Sequence, residues 1–122
     1  MKKMERAGIS EANLIIYALK NGWEVAKPIH HSQSYDFVVK INGLWKTVQV
    51  KSGFWGKSGI KPCHMVNLRR CDARGAKNYK DGDFDFLFIF VDEKCWLIPW
   101  KEIKNIRSGL YIGSSKYDKF RI

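Results

Sequence analysis

The sequence has no long hydrophobic run. Its longest apolar stretch, Phe84 to Val91, has Asp85 inside it. That is far short of the roughly 20 apolar residues a membrane-spanning helix needs. Cysteine is scarce as well. Cys63, Cys71 and Cys95 are odd in number and fit no paired metal-ligand spacing, which argues against a disulfide framework and against a zinc ribbon. They read as reduced core or strand residues of a cytoplasmic protein. Met1 to Arg6 leads into a polar segment, so no secretory signal is expected. Repeats and low-complexity linkers are missing too. Acidic residues are few: 12 Asp and Glu stand against 22 Lys and Arg, a formal charge of +10.

The charge imbalance is the first positive signal, because a strongly basic chain favours a polyanionic partner, most simply nucleic acid. The excess is concentrated. Between Lys40 and Lys80 ten cationic residues meet Asp72 alone, while Asp81, Asp83, Asp85, Asp92 and Glu93 follow in a block. A length of 122 residues suits one domain, 1–122, with a real core.

The stretch Tyr35 to Gly53 reads as a β-hairpin. Asn42-Gly43 lies between two runs of β-branched and aromatic residues, and a two-residue type I′ turn needs positive φ at both positions. With that turn Ile41 faces Leu44, and Asp36 faces Gln49 further along. Opposed residues of an antiparallel pair project to the same side, and Lys51 shares that side by the period of two. One face then carries Phe37, Val39, Val48 and Val50. The other gathers Asp36, Gln49 and Lys51 at the open end of the hairpin. A polar, solvated outer face is the plain alternative for such a hairpin.

Elsewhere, Ser10 is expected to cap a helix over Glu11 to Asn21 that ends at Gly22. Glu11 precedes Leu14 and Ile15 at helical spacing, so it lies on the inward stripe and needs a partner there. Either it is an exposed end-of-helix acid or it reaches a metal beside Asp36. Trp23 to Pro28 is expected as a strand, and His30 and His31 as loop residues. Ser52 to Gly59 is Gly-rich and fits no nucleotide-binding pattern; a basic loop lying along DNA suits it. Cys63 to Leu68 reads as a strand, Arg74 to Lys80 as a short helix or turn, and Asp83 to Val91 and Cys95 to Ile98 as strands. Pro99 is expected to open a helix over Trp100 to Ile106, and the tail from Gly109 to add an edge strand or pack on a partner.

Asp36, then Gln49-Val50-Lys51, with Glu11 on the preceding helix, resembles the PD-(D/E)XK nuclease superfamily. Ser10-Glu11-Ala12, Val66 to Arg70, and Asp85-Phe86 through Trp96 to Pro99 look like the small bacterial group I intron-encoded homing endonucleases within it. Tyr35 stands where the family usually has proline, and Gln49 replaces the commoner second acid.

The resemblance implies an α/β fold with a restriction-endonuclease-like core, a mixed β-sheet flanked by helices. It implies a Mg²⁺-dependent, site-specific double-strand DNA endonuclease, with Glu11, Asp36, Gln49 and Lys51 as catalytic residues. Asp36, the Val50 carbonyl, Glu11 and Gln49 would hold the metal. Lys46, Lys57, Lys61, Arg69, Arg70, Arg74 and Lys77 are expected to contact DNA. Cutting both strands asks for two sites, hence a homodimer or homotetramer, working on the nucleoid in a bacterial cytoplasm. A Holliday-junction resolvase or restriction-type enzyme of the same core, and a basic binding protein without catalysis, remain alternatives.

Overall fold

The computed structural model describes residues 2–30, 33–58, 61–72, 75–113 and 115–122, with the backbone alone at 56–58, 61–62, 71–72 and 115. The Tyr35–Gly53 hairpin forms as expected. β2 (Phe37–Ile41) pairs antiparallel with β3 (Leu44–Ser52), and Ile41 sits opposite Leu44. Asn42 and Gly43 have φ of 51° and 83°, the type I′ signature. β1 (Glu24–Ala26) flanks β2. β8 (Phe86–Val91) runs parallel to the open end of β3, pairing Gln49 with Leu87 and Lys51 with Ile89. β9 (Lys94–Pro99) returns antiparallel through a second tight turn, Asp92-Glu93, both at positive φ. Among the described residues this gives a five-stranded mixed sheet in the order β1-β2-β3-β8-β9.

Both faces of that sheet are covered, which is why β8 reads as an almost unbroken apolar run. On one face Phe37, Val39, Val48, Val50 and Phe88 pack under Leu14 of α1 (Lys3–Lys20). On the other, Leu87, Ile89, Trp96 and Ile98 meet Val66, Leu110 and Ile112 from a second, smaller sheet. In it β5 (Lys61–Asn67) is flanked by β4 (Phe54–Ser58) and β10 (Gly109–Ile112). A separate ribbon pairs β6 (Arg69–Asp72) with β7 (Gly75–Asn78). The mixed α/β core is as expected; strands, rather than a second α-helix, supply its other cover.

Several local expectations are corrected. α1 begins at Lys3, so Ser10 is not a cap. It is a fully buried mid-helix residue whose Oγ lies 2.6 Å from Ser52 Oγ on β3. The C-terminus is as read: Gly22 has φ 72°, and the N–H groups of Gly22 and Trp23 donate to the carbonyls of Leu19 and Ala18, the Schellman pattern. The Gly-rich stretch contains β4, because its backbone finds the edge of β5. The stretch from Arg74 to Lys80, expected as a short helix or turn, carries β7. Pro99 ends a strand and is followed only by the 3₁₀ turn Trp100–Glu102. Here the Trp100 N–H is taken by the Asp85 carbonyl, which anchors the turn to the sheet. β10 is the edge strand expected of the tail. No described helix is long and apolar enough to cross a membrane.

Candidate active site

Asp36 sits one residue before β2, whose register ends with Phe37 opposite Val48. Its backbone N–H donates to the Val48 carbonyl, which fixes the residue at the mouth of the hairpin. Its carboxylate Oδ2 accepts two hydrogen bonds, from Gln49 Nε2 at 2.8 Å and from the Val50 N–H at 2.9 Å. Gln49 Nε2 also lies 3.3 Å from the Val50 carbonyl oxygen. The amide NH₂ thus bridges two oxygens, one anionic and one neutral. Burial pushes the Asp36 carboxyl above its ordinary range. The Val50 N–H opposes that shift, nearby Glu11 adds to it, and Lys51 and Lys27 pull the other way. An acid shifted this way is in want of positive charge.

Glu11 reaches the same cleft from α1 and is ion-paired with Lys27 at 2.9 Å. The expected inward placement is met for another reason than expected. The buried stripe is Ser10, Leu14 and Ala18, while Ile15 and Leu19 are exposed. Lys51 projects beside Gln49. Its Nζ donates to the Arg69 carbonyl at 3.2 Å and lies over the Tyr79 ring. The ammonium is therefore held at the rim where the β6–β7 ribbon meets the sheet. Ser10 and Ser52 tie the two halves together, because Ser52 follows Lys51 and Ser10 precedes Glu11. The Ser52 hydroxyl also donates to the Arg6 carbonyl.

The expected DNA-contact residues divide. Arg69 and Arg70 line the cleft. Lys77, on β7 opposite Arg70, is exposed. Lys46 pairs with Val39 on the face that packs under α1, and it does not line the cleft. The side chains of Lys57 and Lys61, at the tip of the β4–β5 hairpin, lie outside the described residues, as do Arg74 and His31. Lys3 and Arg6 also line the cleft. Sequence reading missed them because it began the helix at Glu11. Asp85 is structural: its Oδ2 accepts the Thr47 N–H at 2.9 Å and the Thr47 hydroxyl at 3.2 Å, clamping β8 to β3.

Among the described residues no group of three or more His, Cys, Asp or Glu forms a metal cluster. The donors at the hairpin mouth are of another kind: the Asp36 carboxylate, the Val50 carbonyl, the Gln49 side-chain amide and, from the helix, the Glu11 carboxylate. All-oxygen donors of mixed charge suit a hard divalent cation. The bridging amide NH₂ lies between two of those oxygens, where positive charge is wanted.

Comparisons with known proteins point the same way. A family model described as PD-(D/E)XK endonuclease matches residues 1–120. Protein 5.3 of Escherichia phage T7 is 32% identical over 114 residues, covering 93% of each chain. Among solved structures, the bacterial homing endonuclease I-Ssp6803I superposes with a TM-score of 0.81 at 27% identity, over 99% of this chain and 89% of the other. Nucleases of this family generally use divalent metal ions. This chain belongs to the PD-(D/E)XK endonuclease family and is a DNA endonuclease, a phosphodiester hydrolase.

Proposed function

We propose that the chain is a Mg²⁺-dependent, site-specific endonuclease of the homing type, cutting double-stranded DNA in the cytoplasm with Glu11, Asp36, Gln49 and Lys51. The observation that carries this reading is the Gln49 amide held between Asp36 Oδ2 and the Val50 carbonyl. Rotating that amide by a half-turn exchanges Nε2 for Oε1. With the amide so turned, the Asp36 carboxylate, the Val50 carbonyl and the Gln49 amide oxygen would hold the cation, joined by Glu11 once released from Lys27. A hard cation held there would supply Lewis-acid polarisation of a phosphoryl oxygen and would acidify water.

The chain's own residues do the rest. Asp36, partly buried and fixed by the Val50 N–H, is the principal ligand and orients the attacking water. Lys51 moves from the Arg69 carbonyl to the scissile phosphate. There its ammonium balances the negative charge that grows as the water oxygen bonds to phosphorus and the opposite P–O ester bond breaks. The attacking water gives up a proton to solvent as its oxygen bonds to phosphorus, and the leaving oxygen takes one up from solvent. Arg69, Arg70, Lys3 and Arg6 hold the flanking phosphates, and one of the two β6 arginines reads guanine. The likeness to I-Ssp6803I supports the homing type.

Supercoiled plasmid carrying a library of candidate intron-insertion sequences tests the reading. A discrete linear product with Mg²⁺, lost in chelator, is expected. DNA binding with no cleavage across divalent metals would overturn it, and a preference for four-way junctions would transfer it to the resolvases.

A further inference from the structure

α1 carries two apolar stripes, and the fold uses one. Ser10, Leu14 and Ala18 face the sheet. Met4, Ile9, Ile15, Ile16 and Leu19 are exposed, Met4 and Leu19 by 86% and 66%. At about 100° per residue they share the opposite side of the helix, with Gly8 and Ala12 between them. Scattered exposed apolar residues are ordinary. A continuous stripe over four turns, with Glu5 the one acid in it, is not the surface of a solvated helix.

The stripe is complementary to itself. Two copies of α1 laid antiparallel about a dyad near Ala12 set Ile9 against Ile16 and Met4 near Leu19. Gly8 then faces Ile15 of the other copy. Apart from its chain neighbours and the adjoining helix backbone, no described atom lies within 4 Å of where a Gly8 side chain would begin, so the large residue finds room over the small one. On the shared rim the same dyad brings Glu5 of one copy to Lys20 of the other. A parallel arrangement sets each charge against its own kind.

We propose that this face of α1 docks a second copy of the same chain, as a two-fold symmetric helix pair. The inference rests on the reading that both DNA strands are cut, which asks for two active sites. Each α1 would carry Glu11 toward its own cleft on one side and meet its twin on the other. The two clefts are then coupled through the paired helices. A single helix stripe is smaller than the roughly 800 Å² per partner of a durable complex, so a weak, reversible association is expected.

Sedimentation velocity of the full chain, without DNA, tests this from low to high micromolar concentration. A concentration-dependent monomer–dimer equilibrium is expected. Ile16→Glu and Gly8→Gln should each weaken it by roughly tenfold or more. Gly8→Gln should not lower the melting temperature, since Gln is the better helix former. Glu5→Lys and Lys20→Glu should each weaken the dimer, and the double swap should restore it. A chain that stays monomeric throughout, or a dimer indifferent to all four changes, overturns the proposal. A dimer that responds as described but cleaves no DNA leaves this inference standing and removes the proposed function.

Discussion

Gln49→Glu probes the candidate site at its most constrained contact. In the metal-free protein the change removes a donor 2.8 Å from Asp36 Oδ2 and 3.3 Å from the Val50 carbonyl. It sets a second carboxylate against the first. A hydrogen bond to a charged group contributes about 1.5–3 kcal/mol. Two unit charges 4 Å apart repel by about 4 kcal/mol at an effective dielectric of 20. Side-chain relaxation, solvent and a shared proton absorb much of the sum, leaving an expected loss of about 2–3 kcal/mol in chelator at mildly alkaline pH. For a chain of this size that is a fall in melting temperature of roughly 8–15 °C.

The pH dependence has a definite sign. Burial already raises the Asp36 carboxyl, and Glu11 adds to it; a second acid raises the pair further. An acid with a raised folded pKa favours the folded state while protonated. The deficit against the parent should therefore vanish in mild acid and grow as pH rises through the carboxylate range. Millimolar Mg²⁺ should raise the melting temperature of the variant more than that of the parent. Thermal melts of both proteins in chelator, in acid and with Mg²⁺ give the answer. Equal melting in chelator at alkaline pH, with equal response to Mg²⁺, would refute the contact and the role assigned to Gln49.

Gly53→Ala puts a methyl 2.6 Å from Val91 Cβ and should cost about 1–3 kcal/mol in urea unfolding; Val91→Gly relieves it, whereas Val91→Ala leaves that contact in place. Ser10→Ala removes one hydrogen bond from a Ser52 hydroxyl that keeps the Arg6 carbonyl and should cost about 0.5–1.5 kcal/mol, with the Ser10→Ala, Ser52→Ala double variant losing less than the sum in a mutant cycle. Burial pushes the Cys95 thiol up, and Glu93 adds to it against Arg121. Site-resolved iodoacetamide labelling of Cys95 should therefore reach half its maximal rate at higher pH than free cysteine, and a matching midpoint would contradict its placement.

Where chemistry was local, the sequence was a sufficient guide. Asn42-Gly43 has one favoured geometry, and the register it sets brings Asp36 within hydrogen-bond reach of Gln49, with Lys51 next on the same face. Gly22 likewise announced the end of α1. Contacts distant in the chain were harder to read. Phe54–Ser58 looks like a Gly-rich loop until β5 offers it an edge, and β5 in turn is completed by β10, more than forty residues on. The start of α1 was hidden because Ser10-Glu11 imitates a cap and because Lys3 to Ile9 shows no apolar stripe facing the sheet. That error hid Lys3 and Arg6 from the cleft. The helix expected after Pro99 was pre-empted by the hydrogen bond between Trp100 N–H and the Asp85 carbonyl, which periodicity does not encode.

On the proposed function, the hairpin mouth around Asp36 performs metal-dependent phosphodiester cleavage. Asp36→Ala, assayed in parallel for DNA cleavage with Mg²⁺ and for DNA binding, tests it most directly. Cleavage should be abolished and binding nearly unchanged, because the cationic rim at Lys3, Arg6, Arg69 and Arg70 stays in place. Cleavage by Asp36→Ala at the parent's rate would contradict it.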